Sequence, residues 1–165
     1  MVWHRISQQV SVMLRAVICL LLFLGMVPVS VRADDQTTYS FGEPAKAAEA
    51  TRTVTILALP DMRFDPDSLT IKHGEVITFV VTNKDKVLHE LDIGDKPALR
   101  QHQKMMLQMS GAQHGDSATS VMVRPGETKS LTWRFNKTPD SPIELACLVA
   151  GHYQAGMKIE VDWAE

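Results

Sequence analysis

The chain has 165 residues, enough for one domain with a real core and too few for two large ones. Its 45% hydrophobic and 22% charged residues are ordinary for a globular protein. Residues 1–33 hold three arginines and no acid, so the rest of the chain carries 14 of the 17 bases against all 19 acids. That formal charge of −5 argues against nucleic acid or an anionic membrane as the main partner.

Arg5 and Arg15 lead into "AVICLLLFLGMV", twelve apolar residues from Ala16 to Val27, which Pro28 breaks. Val31 and Ala33 then stand at the spacing a signal peptidase reads. A spanning helix needs about 20 apolar residues, so this run is too short for a stable membrane span. Residues 1–33 are read as an export signal cleaved after Ala33, which places the mature chain in the periplasm. Cys19 leaves with the signal, so Cys147 has no partner for an internal disulfide and a thiol in an oxidising compartment needs another role.

Residues 34–52 are polar, show little periodic apolar signal and are expected to form a mobile tether before a domain spanning 53–163. "TVTILAL" from Thr53 alternates and is rich in β-branched residues, the pattern of a strand. Strands are predicted next over about 68–72 and 76–82, separated at His73-Gly74, where His73 is expected to be solvated. "VLHELDIG" is a short strand in which residues 87, 89, 91 and 93 share one face. The other three are Val, Leu and Ile, so His89 is predicted to point inward. "SVMVRPGETKSLTWRF" gives two strands joined at Pro125-Gly126, and "SPIELACLV" and "MKIEVDW" supply the last two. Seven or so short strands with Gly and Pro punctuation indicate an all-β antiparallel sandwich or barrel, with Trp133 and Trp163 as packing residues.

One segment breaks the rhythm. Gly94 to Thr119 spans 26 residues, long for a structureless connection, and "PALRQHQKMMLQMSG" within it predicts a short helical insertion near 98–109.

"CLVAGHYQAGM" sets Cys147, His152 and Met157 at intervals of five. Thiolate and thioether favour Cu(I), imidazole serves Cu(II), and one Cys, two His and a weak axial Met form the trigonal set of electron-transfer copper. A second His must come from elsewhere, and the inward His89 is the best candidate. Taken singly, His89 also fits a core histidine, and the loop spacing also fits chance. A buried His, an unpaired Cys, an export signal and a β-sandwich pattern are separate observations that agree.

These residues resemble the cupredoxins, small Greek-key β-barrels with one type 1 copper. The resemblance rests on "FDPDSLTIKHGEVITFVVTNKD", "LHELDIG" and "CLVAGHYQAGMKIEV", and covers about Thr53 to Asp162. It implies that His89, Cys147, His152 and Met157 hold one copper per chain. Glu90 follows the first His, where cupredoxins often carry Asn or Ser. The neighbours of Cys147, Ala146 and Leu148, are not the His ligands of a multicopper oxidase, and a binuclear purple-copper loop needs two Cys. Zinc is disfavoured by the thioether. No catalytic arrangement stands out, so enzymatic activity beyond a weak cuprous oxidation is not expected.

Within the predicted helix, His102, Met105, Met106 and Met109 fall at i, i+3, i+4 and i+7, and His114 follows. One reading is an amphipathic face, Leu99 and Met106 included, packed on the barrel. The other is a second, solvent-facing site for extra Cu(I). This segment most resembles the CopI-like copper-tolerance cupredoxins of bacterial periplasms, which implies copper ions as the main partner and tolerance as the role. The alternative role is one-electron transfer, with a periplasmic redox protein docking near His152.

Overall fold

Alternation of apolar and branched residues with polar ones decides which side of each strand enters the core. The computed structural model describes residues 39–108 and 115–164. The export signal, Met109 and His114 lie outside the described residues. Among the described residues ten strands form: β1 (Glu43–Pro44), β2 (Arg52–Leu59), β3 (Arg63–Asp65), β4 (Ser68–Lys72), β5 (Val76–Asn83), β6 (His89–Asp95), β7 (Ser120–Val123), β8 (Thr128–Arg134), β9 (Ile143–Ala146) and β10 (Lys158–Ala164). Helix α1 (Lys96–Gln108) follows β6.

Two five-stranded sheets result, ordered β1-β8-β5-β2-β3 and β4-β10-β9-β6-β7. The strands predicted from sequence are all present. The expectation of purely antiparallel pairing is corrected, because β2 pairs β5 and β4 pairs β10 in parallel. The chain leaves β2, adds β3 to the same sheet and β4 to the other, and only then returns as β5. That crossover is long enough to bring the two strands side by side in the same direction. Inward residues of both sheets, among them Ile56, Phe79, Leu91, Leu131, Trp133 and Ile159, make one core. His73 is exposed in the β4–β5 turn. Trp133 is fully buried, and Trp163 packs edge-on to Phe135.

The mobile tether expected over 34–52 is also corrected for its described part. Phe41 is buried and stacks on Trp133 with centroids 5.1 Å apart, and Tyr39 meets the same indole edge-on at 5.1 Å. Glu43 and Pro44 pair with β8, and Arg134 binds both Glu43 and Glu49. Gly42 makes the docking possible. It sits at φ +137°, and a Cβ there would lie 2.0 Å from the Arg134 carbonyl oxygen. Two aromatic residues in a polar run leave no periodic signal, yet Phe41 joins the core and Tyr39 packs against it.

Helix α1 starts where Asp95 Oδ1 accepts the Ala98 N–H at 2.9 Å, with Pro97 in the first turn. It then lies against β6. A Cβ on Gly94 would come within 3.1 Å of Leu99, so the glycine lets strand and helix approach. Leu99 and Met106 pack with Ala146, Leu148 and Tyr153. The helix thereby covers the outer face of β6, and Glu90 and Asp92, which alternation would turn to water, are buried.

Candidate metal centre

Three donors converge at one end of the sandwich. His89 opens β6, whose neighbours β7 and β9 hold it on both sides. Cys147 follows β9 directly, and Met157 directly precedes β10. The loop between them closes on itself: Cys147 N–H donates to the Met157 carbonyl at 3.0 Å, and Met157 N–H to the His152 carbonyl at 3.0 Å. Further bonds from His152 to Val149, Ala155 to Gly151 and Gly156 to Tyr153 give the loop a fixed shape. Arg63 fastens it from outside by donating to the Ala155 carbonyl.

Cys147 Sγ lies 3.3 Å from His152 Nδ1 and 3.9 Å from His89 Nδ1, and the two Nδ1 atoms are 3.2 Å apart. A point equidistant from all three is about 2.0 Å from each, given those distances. That is close to a first-row metal's bond to imidazole, ~2.0–2.1 Å, and a little short of its bond to thiolate, ~2.3 Å. The residues present therefore fit a metal ion. His89, Cys147 and Met157 are fully buried, and His152 is the most accessible of the four at 7%. Met157 joins the group through its backbone ties to Cys147 and His152.

The surroundings prepare these donors. Asp85 Oδ2 lies 3.1 Å from His89 Nε2, which fixes the ring and leaves Nδ1 for the centre. The Asp85 loop is shaped by Asn83, which bonds the Val87 and Val123 carbonyls and accepts from the Asp85 N–H. Burial pushes the Cys147 thiol up to about 12, while backbone N–H groups of Glu90 and Val149 favour the thiolate. A bound cation supplies the charge that burial withholds. Burial and the neighbouring His89 lower His152, keeping it a neutral ligand.

The face expected to group His102, Met105, Met106, Met109 and His114 divides. Met106 packs on the Leu99–Leu148 cluster, as the packing reading has it. Met105 is 42% exposed. His102 turns inward, with Nδ1 2.5 Å from Asp92 Oδ2 and Nε2 3.7 Å from Glu90 Oε1. Met109 and His114 lie outside the described residues. Val87, expected on the inward face with His89, precedes β6 and is 46% exposed.

Sequence reasoning missed Asp85 and Asp92, and it noted Glu90 only as the charged residue that follows His89. Asp85 stands at i−4 from His89 in a turn, a signal that becomes visible once His89 is a candidate ligand. Burial and the charge of Asp92 push the Glu90 carboxyl up to about 7, against the pull of His102. The hydrogen bond that Asp92 accepts from its ring and the charge of Glu90 raise His102 despite its burial.

Comparison with known proteins agrees with this geometry. The family model for copper-binding proteins of the plastocyanin/azurin family matches residues 51–163. The chain is 36% identical over 166 residues to the copper-resistant cuproprotein CopI of Pseudomonas aeruginosa, covering 83% of this chain and 90% of that protein. It is 41% identical over 118 residues to CopI of Vibrio cholerae, covering 70% and 68%. Its fold is similar to that of auracyanin B, with a TM-score of 0.60 at 22% identity over 76% of this chain and 97% of that one. With its two-sheet fold and its Cys–His–His triangle, the chain belongs to the plastocyanin/azurin family of copper-binding proteins.

Proposed function

We propose that this chain is an exported copper-tolerance protein whose His89, Cys147, His152 and Met157 hold one redox-active type 1 copper. The observation that carries the reading is the buried triangle of Cys147 Sγ and two Nδ1 atoms, all within 3.9 Å of one another. A thiolate, two imidazoles and a weak thioether suit both Cu(I) and Cu(II), so the bound metal supplies one-electron chemistry. The chain's own part is to hold the donors still: β6 positions His89, Asp85 orients it, and the bonded loop fixes the other three. Export rests on the sequence of residues 1–33.

Tolerance is supported by the relatives named copper-resistant cuproproteins. Deleting the gene should sensitise cells to copper and leave respiration intact. Wild-type chain should restore growth and Cys147→Ser should not. Purified mature protein should bind one copper with an intense visible band that Cys147→Ser abolishes; a band unchanged in that variant would remove the assignment.

Electron transfer to a partner is the second reading. It is favoured by the accessibility of His152, the ligand through which an electron would pass most directly to a docked protein. A respiratory defect at low copper, with normal copper resistance, would select it.

A further inference from the structure

The outer face of β6 holds a second group of donors that the Cys147 centre does not use. Glu90 is fully buried and Asp92 is 2% exposed. Among the described residues, both Glu90 oxygens and Asp92 Oδ1 lack a hydrogen-bond partner. The Ser120 hydroxyl and the Leu148 backbone face Glu90 and favour its charged form, but neither reaches hydrogen-bonding geometry. Unpartnered carboxyl oxygens in a dry interior are costly, and His102, bonded to Asp92 Oδ2, leaves the other three oxygens of the two acids unsatisfied. A divalent cation offers them a partner.

The arrangement has the form of a metal site. Glu90, Asp92 and His102 each present a donor atom within 4.8 Å of the others. Asp92 Oδ2 takes His102 Nδ1 at 2.5 Å and sets the ring, so that Nε2 faces Glu90 Oε1 at 3.7 Å. A carboxylate that orients the imidazole of a metal ligand is a recurring support of such sites. A cavity of about 450 Å³ between α1 and the Tyr39–Phe41 segment is lined by Asp92, His102 and Met105, which gives an ion a way in. Alternation along β6 turns this group away from His89, so it is a separate site.

We propose that Glu90, Asp92 and His102 form a second metal site that takes a borderline divalent cation of the Zn(II) or Cu(II) class. Two carboxylates and an imidazole select such an ion over Cu(I), which prefers sulfur. The site shares His102 with the thioether site expected on α1 but differs from it in its other ligands and in the oxidation state it favours. It does not depend on how the Cys147 centre is used.

The test is a Zn(II) titration of protein whose Cys147 centre is already filled with copper, followed by equilibrium dialysis. One zinc per chain is expected. Asp92→Asn and His102→Gln should each weaken it by more than about a hundredfold, the loss of a direct ligand exceeding that of an outer-shell partner. Met105→Ala should leave it unchanged, and the visible copper band should persist in all three variants. The same comparison in Cys147→Ser, with and without Asp92→Asn, reads the site apart from the copper centre. A failure of the copper reading would show as a missing band with the zinc result intact. No zinc equivalent, or one held as tightly by Asp92→Asn and His102→Gln as by wild type, would overturn the proposal.

Discussion

Glu90 faces two ways: its backbone N–H donates to Cys147 Sγ at 3.4 Å, while its carboxylate lies 3.7 Å from His102 Nε2. One residue of β6 thus touches the sulfur on the core side and the helix on the other. The strand is held by β7 and β9 at its edges and covered by α1, so the N–H is fixed in direction before any metal arrives. A rigid donor aimed at a thiolate sulfur is one of the levers that set a copper centre's potential.

Asp85 should matter through His89. Its carboxylate holds the ring at 3.1 Å and directs Nδ1 to the centre. Asp85→Ala should lower copper affinity by about 10- to 100-fold, the usual effect of losing an outer-shell partner. The visible band should remain, because Cys147 is untouched. Competition titration against a chelator of known affinity, read at the band, gives both quantities.

Phe41 tests whether the 39–44 segment belongs to the fold. It is buried and stacked on Trp133. Phe41→Ala should destabilise the protein by about 3–5 kcal/mol, the range for losing a buried phenylalanine. Denaturant unfolding of the apo-protein measures it. A change below about 0.5 kcal/mol would mean that the segment is the tether the composition suggests.

What was legible in the sequence follows the range of each physical signal. Strand alternation has a period of two, so β2, β5, β8 and β10 could be read directly, and so could the inward direction of His89. The Cys147-His152-Met157 spacing lies within one loop and carries its own chemistry. Phe41 was not legible, because its contact with Trp133 joins residues 92 apart and has no local pattern. The Glu90–Asp92–His102 group was hidden for a related reason. Alternation assigns Glu90 and Asp92 to water, and only the docking of α1, through Gly94 and Leu99, decides otherwise. His102 looked like part of a methionine stripe because helical periodicity gives a face and not what that face meets.

Met157 should tune the centre more than it holds it. It is fully buried and placed by its backbone bonds to Cys147 and His152, so Met157→Leu preserves the loop and the volume. Copper should remain bound with its thiolate band. Replacing the thioether by a hydrocarbon leaves the centre with fewer donors and a more apolar shell, which disfavours the more highly charged Cu(II), so the reduction potential should rise. Voltammetry of the two proteins decides the sign; an equal or lower potential would show that the thioether does not reach the metal.

Glu144 should govern part of the acid limb of stability. Burial alone would raise its carboxyl, but hydrogen bonds from Tyr153 at 2.6 Å and Lys158 at 2.9 Å, with the Lys158 charge, hold it below its ordinary value of 4.5. A carboxyl whose folded pKa lies below its unfolded one stabilises the fold above the unfolded pKa. That contribution is lost as pH falls from about 4.5 through the lower folded value. Glu144→Gln removes the titration, so its stability should fall less steeply than wild type below pH 4.5. At neutral pH the variant should be less stable by about 1 kcal/mol, the difference between a charge-assisted and a neutral hydrogen bond. Because Glu144 pairs β9 with β10 through Lys158 and reaches the loop through Tyr153, the same loss should loosen the strands that carry Cys147 and Met157. Thermal unfolding of the apo-protein between pH 3 and 7 checks both the slope and its sign. Parallel curves for the two proteins across that range would rule out Glu144 as the group responsible.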